Sequence, residues 1–261
     1  MSVSMEVLFL GTGTSHGVPM IACRCPVCTS DDPRDRRFRS SVAVRLSNRR
    51  VILIDAAPEF RLAAVAGGLD RVDAVLLTHA HADHLMGLDD LRRFNDVARA
   101  ALPCLGLAED IAIARQCFAH ADRPYRGDGW PALEFGTIDG PRTLCGVTVT
   151  PVPLLHGRQK VLGFRIGEFA YCTDCSEIPP AGMAMLDGLD LLVLDGLRHT
   201  PHPTHFNLAG ALAVIGALRP RRALLTHIAH EISHAKTSAE LPPGVELAWD
   251  GLRVTVPAAA E

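Results

Sequence analysis

Thr78-His79-Ala80-His81-Ala82-Asp83-His84 follows an apolar run, Ala74–Leu77, that reads as a β-strand. In an extended segment alternate side chains point the same way, so His79 and His81 share a direction. Asp83 and His84 then turn toward a second position. Four imidazole and carboxylate donors within six residues suit two adjacent divalent ions, each needing further partners from elsewhere in the chain. Zn, Mn and Fe all accept such a mixture.

The surrounding chain supplies a scaffold for that loop. Short runs rich in Val, Ile and Leu, bounded by Gly, Pro, Asn or Asp, predict strands at Glu6–Leu10, Val42–Leu46, Val51–Ile54, Val147–Val152, Leu162–Ile166, Phe169–Cys172, Leu191–Leu194, Ala223–Leu225 and Val245–Trp249. Three- and four-residue apolar spacing predicts helices at Pro58–Ala66, Asp89–Ala100, Glu109–Phe118 and Asn207–Leu218, with Asn207 as a cap. Strand pairs come first and helices are interspersed later, which points to mixed sheets covered by helices. No linker divides the 261 residues, so one domain over 1–261 is expected, with Pro257–Glu261 as a frayed tail. The connection from Gly11 to Ser40 is too long for a compact domain without a function or a staple.

Composition narrows the function. A net charge of −3 provides no global basic field for nucleic acid. Met1–Leu10 lacks the basic stretch of a secretory signal, and the apolar run Leu208–Leu218 is too short to span a bilayer. A cytoplasmic protein without membrane contact is therefore expected. In that compartment thiols stay reduced. The chain holds 12 His, more than its Trp, Tyr and Met together, and 8 Cys. Cys23, Cys25 and Cys28 lie within six residues of the long connection; three thiols cannot all pair, and a tetrahedral zinc would need one more ligand.

The His-x-His-x-Asp-His string resembles the signature of the metallo-β-lactamase superfamily of binuclear metallohydrolases. The resemblance implies an α/β fold, specifically an αββα sandwich. It also implies further site residues, in chain order: Asp55 bracing the motif loop, His156 as the third imidazole of the first metal, Asp174 as the bridge, and His227 as the last ligand of the second. One ion would then take His79, His81 and His156; the other Asp83, His84 and His227. Two such metals lower the pKa of a bridging water and clamp attacking and leaving oxygens.

Leu10-Gly11-Thr12-Gly13-Thr14-Ser15-His16-Gly17-Val18-Pro19, followed by the Cys cluster, is similar to the phosphonate-operon phosphodiesterase group. Members keep one structural zinc on three loop cysteines and a histidine, here His230. The group also implies His205, before Phe206-Asn207-Leu208, as a proton donor to the leaving oxygen, acting with Asp83 and Asp174 in catalysis. The expected reaction is hydrolysis of a small or cyclic nucleotide-type phosphodiester, with no stable nucleic-acid partner and a homodimer left open. Alternatives are a tRNA-processing endonuclease, a lactonase or other carboxyl-ester hydrolase, and a non-hydrolytic relative in cofactor biosynthesis.

Other residues receive plainer readings. Cys172 and Cys175 flank Asp174 as Cys-x-x-Cys and read as small strand-end residues, a redox pair being the alternative, and Cys104, Cys117 and Cys145 read as core. Gly11 and Gly13 would permit a tight strand-end turn. The basic stretch Arg34–Arg39 either faces a phosphate or is a solvated face. His16, His120, His199, His202 and His234 carry no assigned role.

Overall fold

A computed structural model describes residues 4–257. Two seven-stranded sheets face each other. The first contains β1 (Ser4–Gly11), β2 (Ser41–Arg45), β3 (Val51–Ile54), β4 (Ala74–Leu76), β5 (Leu102–Gly106) and β6 (Leu133–Thr137) in chain order. The second contains β7 (Arg142–Leu144), β8 (Val147–His156), β9 (Gln159–Ile166), β10 (Phe169–Cys172), β11 (Leu191–Asp195), β12 (Arg222–Thr226) and β13 (Val245–Leu247). The last strand, β14 (Arg253–Pro257), returns to the first sheet beside β1. In each sheet an antiparallel start gives way to parallel strands, at β3–β4 and at β10–β11.

Side-chain alternation explains the layers. Val7, Phe9, Ile52, Ile54, Phe164, Tyr171, Val193 and Val254 point between the sheets. Leu8, Leu10, Leu53 and Leu77 point outward, against α1 (Phe60–Ala66), α2 (Ala82–Leu85), α3 (Arg92–Ala98) and α4 (Ala108–Cys117). Leu154, Ala170, Leu192, Leu194 and Leu225 point the other way, beneath the helical side of the second sheet, which carries α5 (Pro180–Met185), α6 (Leu208–Leu218) and α7 (His234–Ser238). The result is the expected αββα sandwich. Both faces of its central strands are covered, so those strands read as unbroken apolar runs.

Four strands, β5, β6, β7 and β14, were not foreseen. Pro103, Gly106 and Gly136 interrupt the apolar pattern of β5 and β6, and β14 alternates exposed and buried residues without a strong apolar run. The helix expected over Asp89–Ala100 divides into a 3-10 turn, Leu88–Leu91, and α3. Pro257 closes β14 opposite Ser4 instead of opening a tail; 258–261 lie outside the described residues. Asn207 caps α6 as expected, accepting from Gly210 N at 3.0 Å. Among the described residues no helix is long and apolar enough to cross a membrane.

Candidate functional site

The site gathers at the carboxyl ends of β4, β8, β10 and β12, drawn from both sheets. Chain leaving β4 runs extended through His79 and His81, then winds into the single turn α2, with His81 at its N-cap. That turn is what rotates Asp83 and His84 away from His79 and His81. The donor atoms of His79, His81 and His156 lie within 4.8 Å of one another, as do those of Asp83, His84, Asp174 and His227. Asp174 sits between the groups. Its carboxylate is 3.2 Å from His84 Nε2, 3.1 Å from His227 Nε2 and 3.9 Å from His79 Nε2. His81 is exposed, marking the open side, while the other six are buried.

Three residues around this cluster hold left-handed backbone: Asp55 at φ 62°, Asp174 at 54° and His227 at 55°. Such conformations cost a non-glycine residue about 1–3 kcal/mol, and they persist where the surrounding fold over-determines them. Asp55 and Asp174 each follow the last strand of their sheet's antiparallel portion, β3 and β10, yet serve different purposes. Asp55 accepts from Thr78 N and Thr78 Oγ1, each at 2.8 Å, and from His84 Nδ1 at 2.7 Å. It is saturated by the fold. Asp174 has one side-chain hydrogen bond from a neighbour, Thr173 Oγ1, and otherwise faces imidazoles.

The donor set fits divalent ions. Among the described residues, the buried atoms His79 Nε2, His84 Nε2 and His227 Nε2 have no hydrogen-bond partner. They lie 3–4 Å from carboxylate oxygens without hydrogen-bond alignment, as donors converging on a common point would. Burial alone would raise the Asp174 carboxyl, but the charges of His227 and His84 outweigh it and hold it well below the usual range. The same carboxylates overcome burial at His84 and push its imidazole well above its ordinary value. Burial, reinforced by the His84 charge, drives His79 well below. Negative charge concentrated in a buried cluster calls for cations, and neutral imidazoles such as His79 supply lone pairs to them.

The remote nitrogens are orienting handles. His156 Nδ1 donates to Thr204 O at 2.7 Å, leaving Nε2 for the cluster. His205 Nδ1 donates to Asp195 Oδ2 at 2.8 Å, and the same oxygen accepts from Cys175 N. The His205 ring stacks on His227, with centroids 4.7 Å apart, and lies 4.5 Å from His156. Sequence reading passed over Asp195, and also Asp110, whose Oδ1 accepts from Ala80 N inside the motif loop at 2.9 Å and whose carboxyl burial pushes up to about 6. Each is a lone Asp in sequence; its role depends on a neighbour ten or thirty residues away.

A second cluster joins Cys23, Cys25, Cys28 and His230. His230 Nδ1 is 3.3, 3.4 and 3.7 Å from the three sulfurs in that order. Three thiols cannot all ionise this close without a cation. At Cys25, burial is outweighed by hydrogen bonds from Cys28 N and His230, and the thiol falls to about 6; burial lifts Cys28 to about 11. The set suits tetrahedral zinc. Between the two clusters lies a cavity of about 210 Å³, lined by Ser15, His16 and Met20 on one side and by Arg198, His202 and His205 on the other.

The remaining expectations divide. Cys104, Cys172 and Cys175 are buried, whereas Cys117, at the end of α4, is exposed and Cys145 is only half-buried in its turn. The basic stretch is no phosphate face at Arg37. That side chain is buried, donates to Thr12 Oγ1 and Ala248 O, and contacts the buried His234. Gly11 makes no tight turn; a Cβ there would meet Arg39 O at 1.9 Å, so glycine permits the close approach of the returning loop. His120 is bound to Asp89 on the surface and His199 is exposed.

Residues 50–228 match the model described as "Beta-lactamase superfamily domain". A solved structure titled as a new diphosphatase from the PhnP family is 38% identical, superposes with a TM-score of 0.93 and covers 100% of both chains. An octanoyltransferase of Porphyromonas gingivalis is 36% identical over 256 residues; the match takes in 97% of this chain but 52% of that protein, so the chain spans about half the length of this relative. Coenzyme PQQ synthesis protein B of Xanthomonas campestris is 26% identical, with 97% of this chain and 100% of that protein covered.

Proposed function

The chain belongs to the β-lactamase superfamily, and from that premise we propose that it is a binuclear metal-dependent hydrolase of small phosphodiesters. His79, His81 and His156 would hold one divalent ion, Asp83, His84 and His227 a second, with Asp174 shared; Zn, Mn and Fe all suit these donors. Bound ions would supply Lewis-acid polarisation of water and of the phosphoryl oxygens.

The residues of the chain do the rest. Asp55 and Asp110 pin the motif loop from two sides, so the donors are aimed before substrate arrives. Thr204 O fixes the His156 ring. With its Nδ1 proton committed to Asp195, His205 carries its mobile proton on Nε2 and gives it to the departing oxygen. Asp195 stabilises the imidazolium that precedes this transfer. The observation that carries the reading is this His205–Asp195 pair against the His156 and His227 rings: a held proton donor beside a donor set that fits two cations. The diphosphatase relative supports phosphoryl chemistry, and a cavity of about 210 Å³ suits a small substrate.

Hydrolysis of bis(4-nitrophenyl) phosphate and of an alkyl nitrophenyl phosphate by metal-loaded protein tests the reading. His205→Ala should lose about 10²–10⁴-fold where the departing alkoxide is strongly basic, and much less where nitrophenolate departs. Absence of phosphodiester hydrolysis by the wild-type protein would overturn the function; a loss independent of the leaving group would overturn the role of His205.

A further inference from the structure

The two sets of imidazoles are backed by different groups. In the first set, His79 Nδ1 lies 3.0 Å from Thr78 Oγ1, a hydroxyl that donates to Asp55 and so accepts from the ring. His156 Nδ1 donates to a backbone carbonyl, Thr204 O, and His81 is exposed. In the second set, His84 Nδ1 donates to the Asp55 carboxylate at 2.7 Å. His227 Nδ1 faces another carboxylate, with Asp195 Oδ1 3.7 Å away. Both of these last atoms are buried and neither has a hydrogen-bond partner among the described residues. Leaving both unpaired is costly, so a small rotation of the His227 ring that closes the gap is favoured. Asp195 is therefore the counterpart, in the second sheet, of Asp55 in the first. Its side chain is fully buried, and its other oxygen accepts from His205 Nδ1 at 2.8 Å and from Cys175 N at 3.1 Å, directly after Asp174. A charged acceptor behind a ligand imidazole fixes the ring and strengthens the lone pair that it offers, more than a neutral oxygen does. The second set also has Asp83 beside the shared Asp174, whereas the first has no carboxylate of its own.

We propose that the two cation positions are unequal: Asp83, His84 and His227 form the tight one, His79, His81 and His156 the exchangeable one, and Asp195 is the positioning residue that, with Asp55, sets this order. The proposal rests on the two-ion hydrolase reading above. At low metal concentration the chain holds one ion; the position on the open side, beside exposed His81, fills only as free metal rises. Because Asp195 also holds His205, one carboxylate aims both the tight position and the proton donor.

Manganese(II) titration of chelator-treated protein tests this, with the free ion counted by its paramagnetic resonance spectrum. Manganese suits imidazole and carboxylate donors and avoids the thiol cluster. Wild type should bind two ions per chain in steps about 10-fold or more apart. His81→Ala should remove the weaker step and leave the tighter. Asp195→Asn should weaken the tighter step about 10–100-fold and leave the weaker within a few-fold. His205→Ala should leave both steps, which separates the action of Asp195 on His227 from its hold on the proton donor. Two equivalent ions in wild type, loss of the tighter step in His81→Ala, or wild-type affinities in Asp195→Asn overturn the proposal. His81→Ala decides the order of filling even where Asp195→Asn does not fold. Hydrolysis of bis(4-nitrophenyl) phosphate is followed in the same samples. Equivalent ions with hydrolysis overturn only the inequality; two unequal steps without hydrolysis overturn only the hydrolase; no bound manganese overturns both.

Discussion

The two donor clusters share a chemistry of ligands and differ in what holds them. The His/Asp cluster draws its donors from separate strand ends between residues 79 and 227, nearly all buried, three with tensioned left-handed backbone at or beside the ligands. The sheets hold this geometry whatever occupies it. The Cys/His cluster takes three donors from six consecutive loop residues and one from His230, and its loop exposes Ile21 almost completely, at 89%. The three sulfurs and the imidazole gather beside a stretch of that loop with little apolar cover. The difference separates donors held by strained backbone at strand ends from donors gathered on one loop, and residues of that loop line the cavity beside His205.

The largest expected effect breaks the first cluster. Asp174→Gly should reduce phosphodiester hydrolysis by at least about 10³-fold, while the melting temperature holds or rises, because glycine adopts the positive φ freely. Parallel loss of folding would show that the cluster is structural after all. Next, Asp55→Asn keeps the shape but turns an amide donor toward Thr78 or His84. We expect a loss of about 10–100-fold in metal affinity or activity, read by metal titration alongside kinetics. Equal affinity in the variant would remove Asp55 from the supporting set.

Breaking the second cluster should invert the pattern. Cys25→Ser should lose one zinc per chain and about 4–8 °C of melting temperature, with a smaller change in kcat than in stability. Unchanged zinc content and melting would sink the staple. The smallest effect sharpens how the loop is anchored. Burial and the Arg37 charge lower His234 to about 4, so the unfolded chain binds more protons between roughly pH 6.5 and 4. Stability from this group is present above about pH 6.5 and is lost as pH falls toward 4. His234→Gln keeps an acceptor for Arg37 without titrating, and should show a shallower drop in melting temperature across that window; an identical pH profile would contradict the assignment.

Legibility followed distance along the chain. His79, His81, Asp83 and His84 are readable because a strand end and one helical turn are local geometries. Cys23, Cys25 and Cys28 are readable for the same reason. His156, Asp174, His227, His205 and His230 entered only through family resemblance, since no local pattern distinguishes a ligand histidine from a solvated one. Asp195 and Asp110 escaped both routes. Their partners, His205 and Ala80, are ten and thirty positions away, and a single carboxylate leaves no periodic trace. Strands β5 and β6 escaped because proline and glycine are admitted where neighbouring strands and helices cover the backbone.

The amino-acid sequence by itself determined the donor types, the local spacing that pairs them and the apolar runs that become central strands, because these depend on rotations about neighbouring bonds and on burial periodicity. Tertiary structure alone decided that Asp55 is consumed by hydrogen bonds while Asp174 is left facing imidazoles. It also decided which histidine leans on Asp195, and that the thiol loop walls the cavity holding Arg198 and His202. Those outcomes turn on which groups meet across the two sheets. Electrostatic and hydrogen-bond partnership is set by separations of a few ångströms in space, which no sequence interval encodes.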